Sequence, residues 1–150
     1  MKQVVALMFA LSSLATAEAA TYRVDETGTF PAESSAPMRW RQVAPSRGGD
    51  NAIEGSTTVN VRLNLAPWLN RNGRLFLVLP QQPVVPVRAR WTTQGRLIPG
   101  QLTSGERQLV YAGPISTVLL EDTLALTLET DGTRLGSALR LQFHFEIDVD

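Results

Sequence analysis

A chain of 150 residues, 43% hydrophobic and 19% charged, holds enough apolar material for one packed core and excludes a disordered chain. Its 14 basic residues balance 14 acidic ones, so the charge sum gives no pull toward nucleic acid. The lack of cysteine excludes disulfides, thiolate metal sites and cysteine nucleophiles, and a single histidine excludes most metal and acid–base constellations.

Met1-Lys2-Gln3 makes a short positive start, Val4 to Leu14 an apolar run, and Ala17-Glu18-Ala19 offers small residues at the two positions a signal peptidase reads. Residues 1–19 are therefore expected to be an export signal, cut before Ala20. The run is too short to cross roughly 30 Å of hydrocarbon as a helix, and no later stretch reaches 18 apolar residues. The expected destination is the periplasm or cell surface of a bacterium, with no membrane span. Lys2 is the only lysine, so cleavage leaves no lysine amine for Schiff-base or general-base chemistry. Nine arginines between Arg39 and Arg96 stand against Asp50 and Glu54, and seven acids from Glu121 onward stand against Arg134 and Arg140. Pairing between these halves within one fold is the simplest use of the asymmetry.

Residues 20–56 read as a loosely held N-terminal arm. Tyr22-Arg23-Val24 and Met38-Arg39-Trp40-Arg41 are its short strand candidates, broken by Gly28, Pro31, Ser34, Ser35 and Pro37, and a mobile loop is expected near Ser46–Asn51. Residues 57–150 form the main body, and 20–150 together make one domain. There the dominant period is two. Thr58 to Leu65 alternates with its odd positions apolar and stops before Pro67. Leu75 to Leu79 is apolar on both faces, as a central strand is, and Pro80 ends it. Val85, Val87, Ala89 and Trp91 share one face while Arg88 and Arg90 share the other; with Pro83 and Pro86, these arginines suit the blunting of a sheet edge. Gln94-Gly95 predicts a tight turn into a strand at Arg96-Leu97-Ile98, with Pro99-Gly100 as the next break. Gln108 to Tyr111, Thr117 to Leu120 and Leu124 to Glu129 follow, the last ending at an Asp131-Gly132 turn. In the final segment Leu139, Leu141, Phe143, Phe145, Ile147 and Val149 point one way, and Arg140, Gln142, His144, Glu146, Asp148 and Asp150 the other. Such a strand spans about 36 Å against a usual 17–20 Å, so it bends between sheets or overruns its neighbours. Eight or nine short strands with frequent turns define an all-β fold: an antiparallel immunoglobulin-like β-sandwich, with a small β-barrel as the competing closure.

Chemistry finds few candidates. His144 and Glu146 share one strand face, but no G-x-S-x-G elbow supplies a nucleophile, and a solvent-facing histidine is the simpler reading. Glu129 to Thr133 has too few carboxylates for a calcium loop and reads as a turn. Trp40, Trp68 and Trp91 are candidates for a sugar-stacking platform with Asn70, Asn72 and Gln94; Trp91 faces the core, and Trp68, following Pro67, is the one expected to be exposed. No catalytic residue, cofactor or metal is expected.

An export signal, a mature length near 130 residues, an all-β pattern and the amphipathic final segment from Leu139 to Val149 together resemble the subunits of chaperone–usher pili. The resemblance implies an incomplete immunoglobulin-like sandwich whose C-terminal strand pairs with a periplasmic chaperone and then with a neighbour's N-terminal extension. It implies a groove lined by Leu141, Phe143, Phe145 and Ile147, and a donor within Ala20 to Pro37 that carries Tyr22 and Val24. Partners would be like subunits or a periplasmic chaperone, joined by strand addition, in which backbone hydrogen bonds give affinity and alternate side chains fill pockets. The other reading from the residues is a self-contained periplasmic β-sandwich that assists assembly or binds envelope components, carbohydrate included.

Overall fold

The computed structural model describes residues 19–33, 35–42, 47–135 and 140–150. Residues 1–18 of the expected export signal, Ser46 of the expected loop and Leu139 of the final segment lie outside them. Ten strands occur among the described residues: β1 (Ala20–Arg23), β2 (Phe30–Pro31), β3 (Arg39–Trp40), β4 (Ala52–Asn64), β5 (Asn72–Val78), β6 (Val87–Thr93), β7 (Gly100–Thr103), β8 (Arg107–Pro114), β9 (Leu119–Asp131) and β10 (His144–Val149). The only helical piece among the described residues is a three-residue 3-10 turn, Ala66–Trp68, with Pro67 inside it.

The strands make two antiparallel sheets that face each other and do not close into a barrel. One runs β1-β10-β5-β8; the other runs β2-β4-β9-β6-β7, with β3 also against β4. An immunoglobulin-type sandwich has strands A, B, E and D in one sheet and C, F and G in the other. Here β2-β4-β9-β6 reproduces the first order and β5-β10 the C–F pair. The seat beside F, which strand G would take, is held by β1 from the other end of the chain.

Alternation explains the layers. Val61 and Leu63 on β4, Leu124 and Leu126 on β9, Leu75 and Leu77 on β5, and Phe145, Ile147 and Val149 on β10 are buried between the sheets. Each such side chain contributes about 1.5–3 kcal/mol by leaving water. Trp91 is buried as expected, and its indole N–H donates to the Ile98 carbonyl at 3.0 Å.

Several expectations change. The expected division at residues 56 and 57 falls inside β4, which begins at Ala52. Leu119 and Leu120, from the Thr117 to Leu120 candidate, and Leu124 to Glu129 belong to one strand, β9, because β4 pairs with it from Ala52 opposite Asp131 to Asn64 opposite Leu119. β6 is not an edge: it lies between β9 and β7, so Arg88 and Arg90 stand on the outer sheet face and guard nothing. No strand forms at Arg96-Leu97-Ile98. The Asp122 carboxylate, buried at the near end of β9, accepts the N–H groups of Gly95 and Leu97 at 2.8 Å each and of Gln94 at 3.3 Å. That carboxylate wraps residues 94–97 around itself, and the next strand starts only at Gly100.

The final segment is also shorter as a strand than its alternation predicts. Ladder pairing begins at His144, opposite Val78, and runs to Val149, opposite Gly73. β5 ends at Val78, and the next position but one is Pro80, which has no N–H to donate. Residues 140–143 therefore have no strand partner, and Leu141 and Phe143 pack against the core without joining the sheet.

Candidate interaction site

The two sheets differ in reach. β4 and β9 are 13 residues each, whereas β1, β10, β5 and β8 are 4, 6, 7 and 8. At about 3.3 Å per residue the long pair outruns the facing sheet by several residues. Its inner surface around Thr57, Val59 and Leu128 is left only partly covered. An open cleft of about 1080 Å³ results, with Val59, Leu126 and Leu128 on one wall, Leu77 and Phe145 on the other, and Leu141 and Phe143 along its rim. The Thr57 hydroxyl also lines it; this oxygen is buried and has no hydrogen-bond partner among the described residues. An unsatisfied buried hydroxyl costs on the order of 1–3 kcal/mol, so an occupant with a polar backbone would gain by meeting it.

The edge of β10 borders the same cleft. β1 covers it from Ala20 opposite Val149 to Arg23 opposite Glu146, and all four β1 residues are exposed. The Val24 N–H still donates to the Phe145 carbonyl at 2.9 Å, but the chain then leaves the strand. The Phe145 N–H, which a continuing strand would meet with a carbonyl, donates instead to the Glu26 carboxylate at 3.2 Å. Glu26 thus caps the point at which ladder bonding stops and the cleft begins.

On the outer face of this sheet, a polar cluster pins β1 down. The Thr21 hydroxyl donates to Asp148 at 2.6 Å, and Arg107 reaches Asp148 with both terminal nitrogens at 3.1 and 3.2 Å. The Arg107 guanidinium lies 4.1 Å above the Phe76 ring centre, which lets it cross β5 to reach β10. Burial pushes the Asp148 carboxyl up, but the Thr21 and Arg107 hydrogen bonds outweigh it and hold the group below its ordinary value. A depressed folded-state pKa gives stability that is present above the unfolded value and lost as the pH falls through the folded one. Asp148→Asn is accordingly expected to flatten the acid limb of the stability profile as the pH falls through and below the ordinary aspartate range, read from urea midpoints. A limb as steep as that of the unchanged protein would remove Asp148 from the account. His144 Nε2 lies 3.1 Å from Glu146 on the same face.

Leu141, Phe143 and Phe145 are brought together along the cleft. Ile147 is not part of it: with no exposed surface, it sits in the core against Gly73. Val24 is buried where the arm crosses between sheets, while Tyr22 remains 46% exposed. Trp68 departs from expectation. It is 8% exposed, because the 3-10 turn folds its ring inward to lie 5.9 Å from the Tyr22 ring. It offers no free face for sugar stacking. Glu26 and Thr57 carry no signal in the sequence, and Asp122 stands there only as half of an acid pair with Glu121 before a strand, since nothing in a local pattern tells which distant N–H or apolar wall a lone polar side chain will meet. No group of three or more metal-ligating side chains occurs among the described residues, and none of their helices is long and apolar enough to cross a membrane.

These features define a class, an antiparallel immunoglobulin-like β-sandwich whose last strand is bordered by four residues of its own N-terminal arm. Compared with protein-family models, curated proteins and solved structures, the chain matches none.

Proposed function

We propose that this chain is an exported, non-enzymatic assembly subunit that joins like subunits by exchanging an N-terminal strand along β10. One observation carries the reading: the side of β10 away from β5 is paired only by a four-residue, exposed segment from the distant N-terminus, beside an apolar cleft. A short exposed strand makes few ladder bonds and buries little, so it is the cheapest element of the sandwich to replace. An incoming strand that continued past Val24 would meet the Phe145 N–H in place of Glu26 and lay alternate side chains over Leu141 and Phe143. A periplasmic chaperone would use the same seat.

The second reading is a self-contained module for assembly or envelope binding. The Thr21–Asp148–Arg107 contact favours it by tying the chain's own arm in place. A peptide of residues 20–31 separates the two. Added in excess to the protein expressed from its full sequence, it is expected to raise the Tm by about 5 °C, and a Val24→Asp peptide is expected to do nothing. Glu26→Ala, which frees the Phe145 N–H, is expected to strengthen peptide binding severalfold. A protein indifferent to both peptides is the self-contained module.

A further inference from the structure

The N-terminal arm builds a second, smaller hollow where it meets the sheet of β4 and β9. After β1 the chain turns through residues 26–29, the Thr29 N–H donating to the Glu26 carbonyl at 2.9 Å, with Gly28 at φ +96°. The Thr29 hydroxyl accepts the Arg62 N–H at 2.8 Å and donates to the Arg62 carbonyl at 3.1 Å, and the Ala32 N–H reaches the Thr58 carbonyl at 2.7 Å. All of these bonds run to β4 and none to β10. Turn and sheet enclose a groove of about 390 Å³, with Gly28, Phe30, Asn60, Arg62, Glu121 and Thr123 among its lining residues.

Register sets these side chains in two rows on one face. Asn60 and Arg62 flank the buried Val61 and so point outward. Phe30 is opposite Asn60, Asn60 opposite Thr123, and Arg62 opposite Glu121. Opposed residues of antiparallel strands share a face, so one row is a ring, an amide and a hydroxyl, and the next is an ion pair. Phe30 is 56% exposed. The Thr123 hydroxyl donates to Asn60 Oδ1 at 3.3 Å, which leaves the Asn60 amide nitrogen without a partner among the described residues. Arg62 Nε is 3.6 Å from Glu121 with both side chains at least half exposed, so the terminal guanidinium nitrogens and one carboxylate oxygen stay open. Gly28 lets the Arg62 stem lie against the turn, since a Cβ there would come within 3.1 Å of Arg62 Cδ. Asp122 also borders the groove, but its carboxylate is turned to residues 94–97. The open charges of the groove, Arg62 and Glu121, cancel.

We infer that this groove binds a neutral sugar, a mono- or disaccharide, stacked on Phe30 and hydrogen-bonded through Asn60, Arg62 and Glu121. An exposed ring or an exposed ion pair is ordinary by itself; here both line one concavity. A pyranose presents a face of C–H groups and a rim of hydroxyls that donate and accept. The C–H face matches an aromatic ring. The rim matches an amide donor, a guanidinium donor and a carboxylate acceptor set side by side. An anionic ligand would meet Glu121, and a cationic one Arg62. The volume lies at the small end of the roughly 300–1,000 Å³ usual for small-molecule sites, which limits the ligand to about one or two sugar rings. The inference does not depend on strand exchange, because β10 pairs only with β1 and β5 and takes no part in the groove.

The test titrates the protein, expressed from its full sequence, with the methyl glycosides of glucose, galactose, mannose and N-acetylglucosamine and with cellobiose and lactose, followed by backbone amide NMR. At least one is expected to give saturable shifts at Thr29 and Phe30, Asn60 to Arg62 and Glu121 to Thr123. Phe30→Ala is expected to weaken that sugar at least about tenfold, and Glu121→Gln about threefold. Trp40→Ala removes another ring, 41% exposed and opposite Ile53 at the start of β4, and is expected to leave the affinity unchanged. The uronic acid and the amino sugar of the same configuration are expected to bind at least about fivefold more weakly. The absence of saturable shifts with all of these sugars overturns the inference. So does an affinity that Phe30→Ala and Glu121→Gln both leave unchanged, or a set of shifts confined to Leu141, Phe143 and Phe145 in the apolar cleft.

Discussion

Asp122→Ala is expected to lower the unfolding free energy by about 3 kcal/mol, measured as a fall in the urea midpoint at constant slope. The carboxylate accepts from Gln94, Gly95 and Leu97 across the sheet and from Thr123 beside it, with Leu97 itself buried. Alanine removes both acceptor oxygens at once. Gln94 keeps its bond to the Thr123 carbonyl at 3.2 Å, and water can reach Gly95 from the exposed side of the turn, which keeps the cost below the sum for four abandoned donors. The Leu97 N–H has no such escape, and its side chain loses the fixed turn that holds it in the core. Asp122→Asn keeps one acceptor oxygen and is expected to lose about half as much. A change under about 1 kcal/mol for the alanine variant would mean that residues 94–97 find other partners.

Ile147 and Leu141 are expected to respond in opposite ways, though alternation puts them on the same face. Ile147→Ala opens a cavity at the centre of β10, between β1 and β5 and against Gly73, and is expected to cost about 3–4 kcal/mol of stability. Leu141→Ser lies on the cleft rim outside any ladder. Its expected stability loss is under about 1 kcal/mol, while binding of the 20–31 peptide weakens about tenfold. Denaturation and calorimetry on the two variants separate these effects. If Leu141→Ser left peptide affinity unchanged, the cleft rim would have no part in strand capture.

The difference between these two residues marks where sequence reasoning stops. Six alternating apolar residues predict one strand from Leu139 to Val149, and the described strand covers only the part that has β5 beside it. Periodicity reports which face of a ribbon is apolar; it carries no information about how far the neighbouring strand extends. Trp68 fails for a related reason. Its place after Pro67 identifies a turn, but which way the ring swings depends on Tyr22, a residue brought close only by the arm.

What the sequence by itself determined was the all-β class, the interior position of β5 and the inward faces of β4, β9 and β10, with a sandwich preferred over a barrel, because a period of two leaves each strand one side that must leave water. Tertiary structure alone decided the strand order, the seating of β1 beside β10, the Glu26 cap and the cleft. Each depends on groups far apart in the chain, as with Thr21 and Asp148, separated by 127 positions. Only the closure of both sheets, of unequal length, brings such groups together or leaves a wall uncovered.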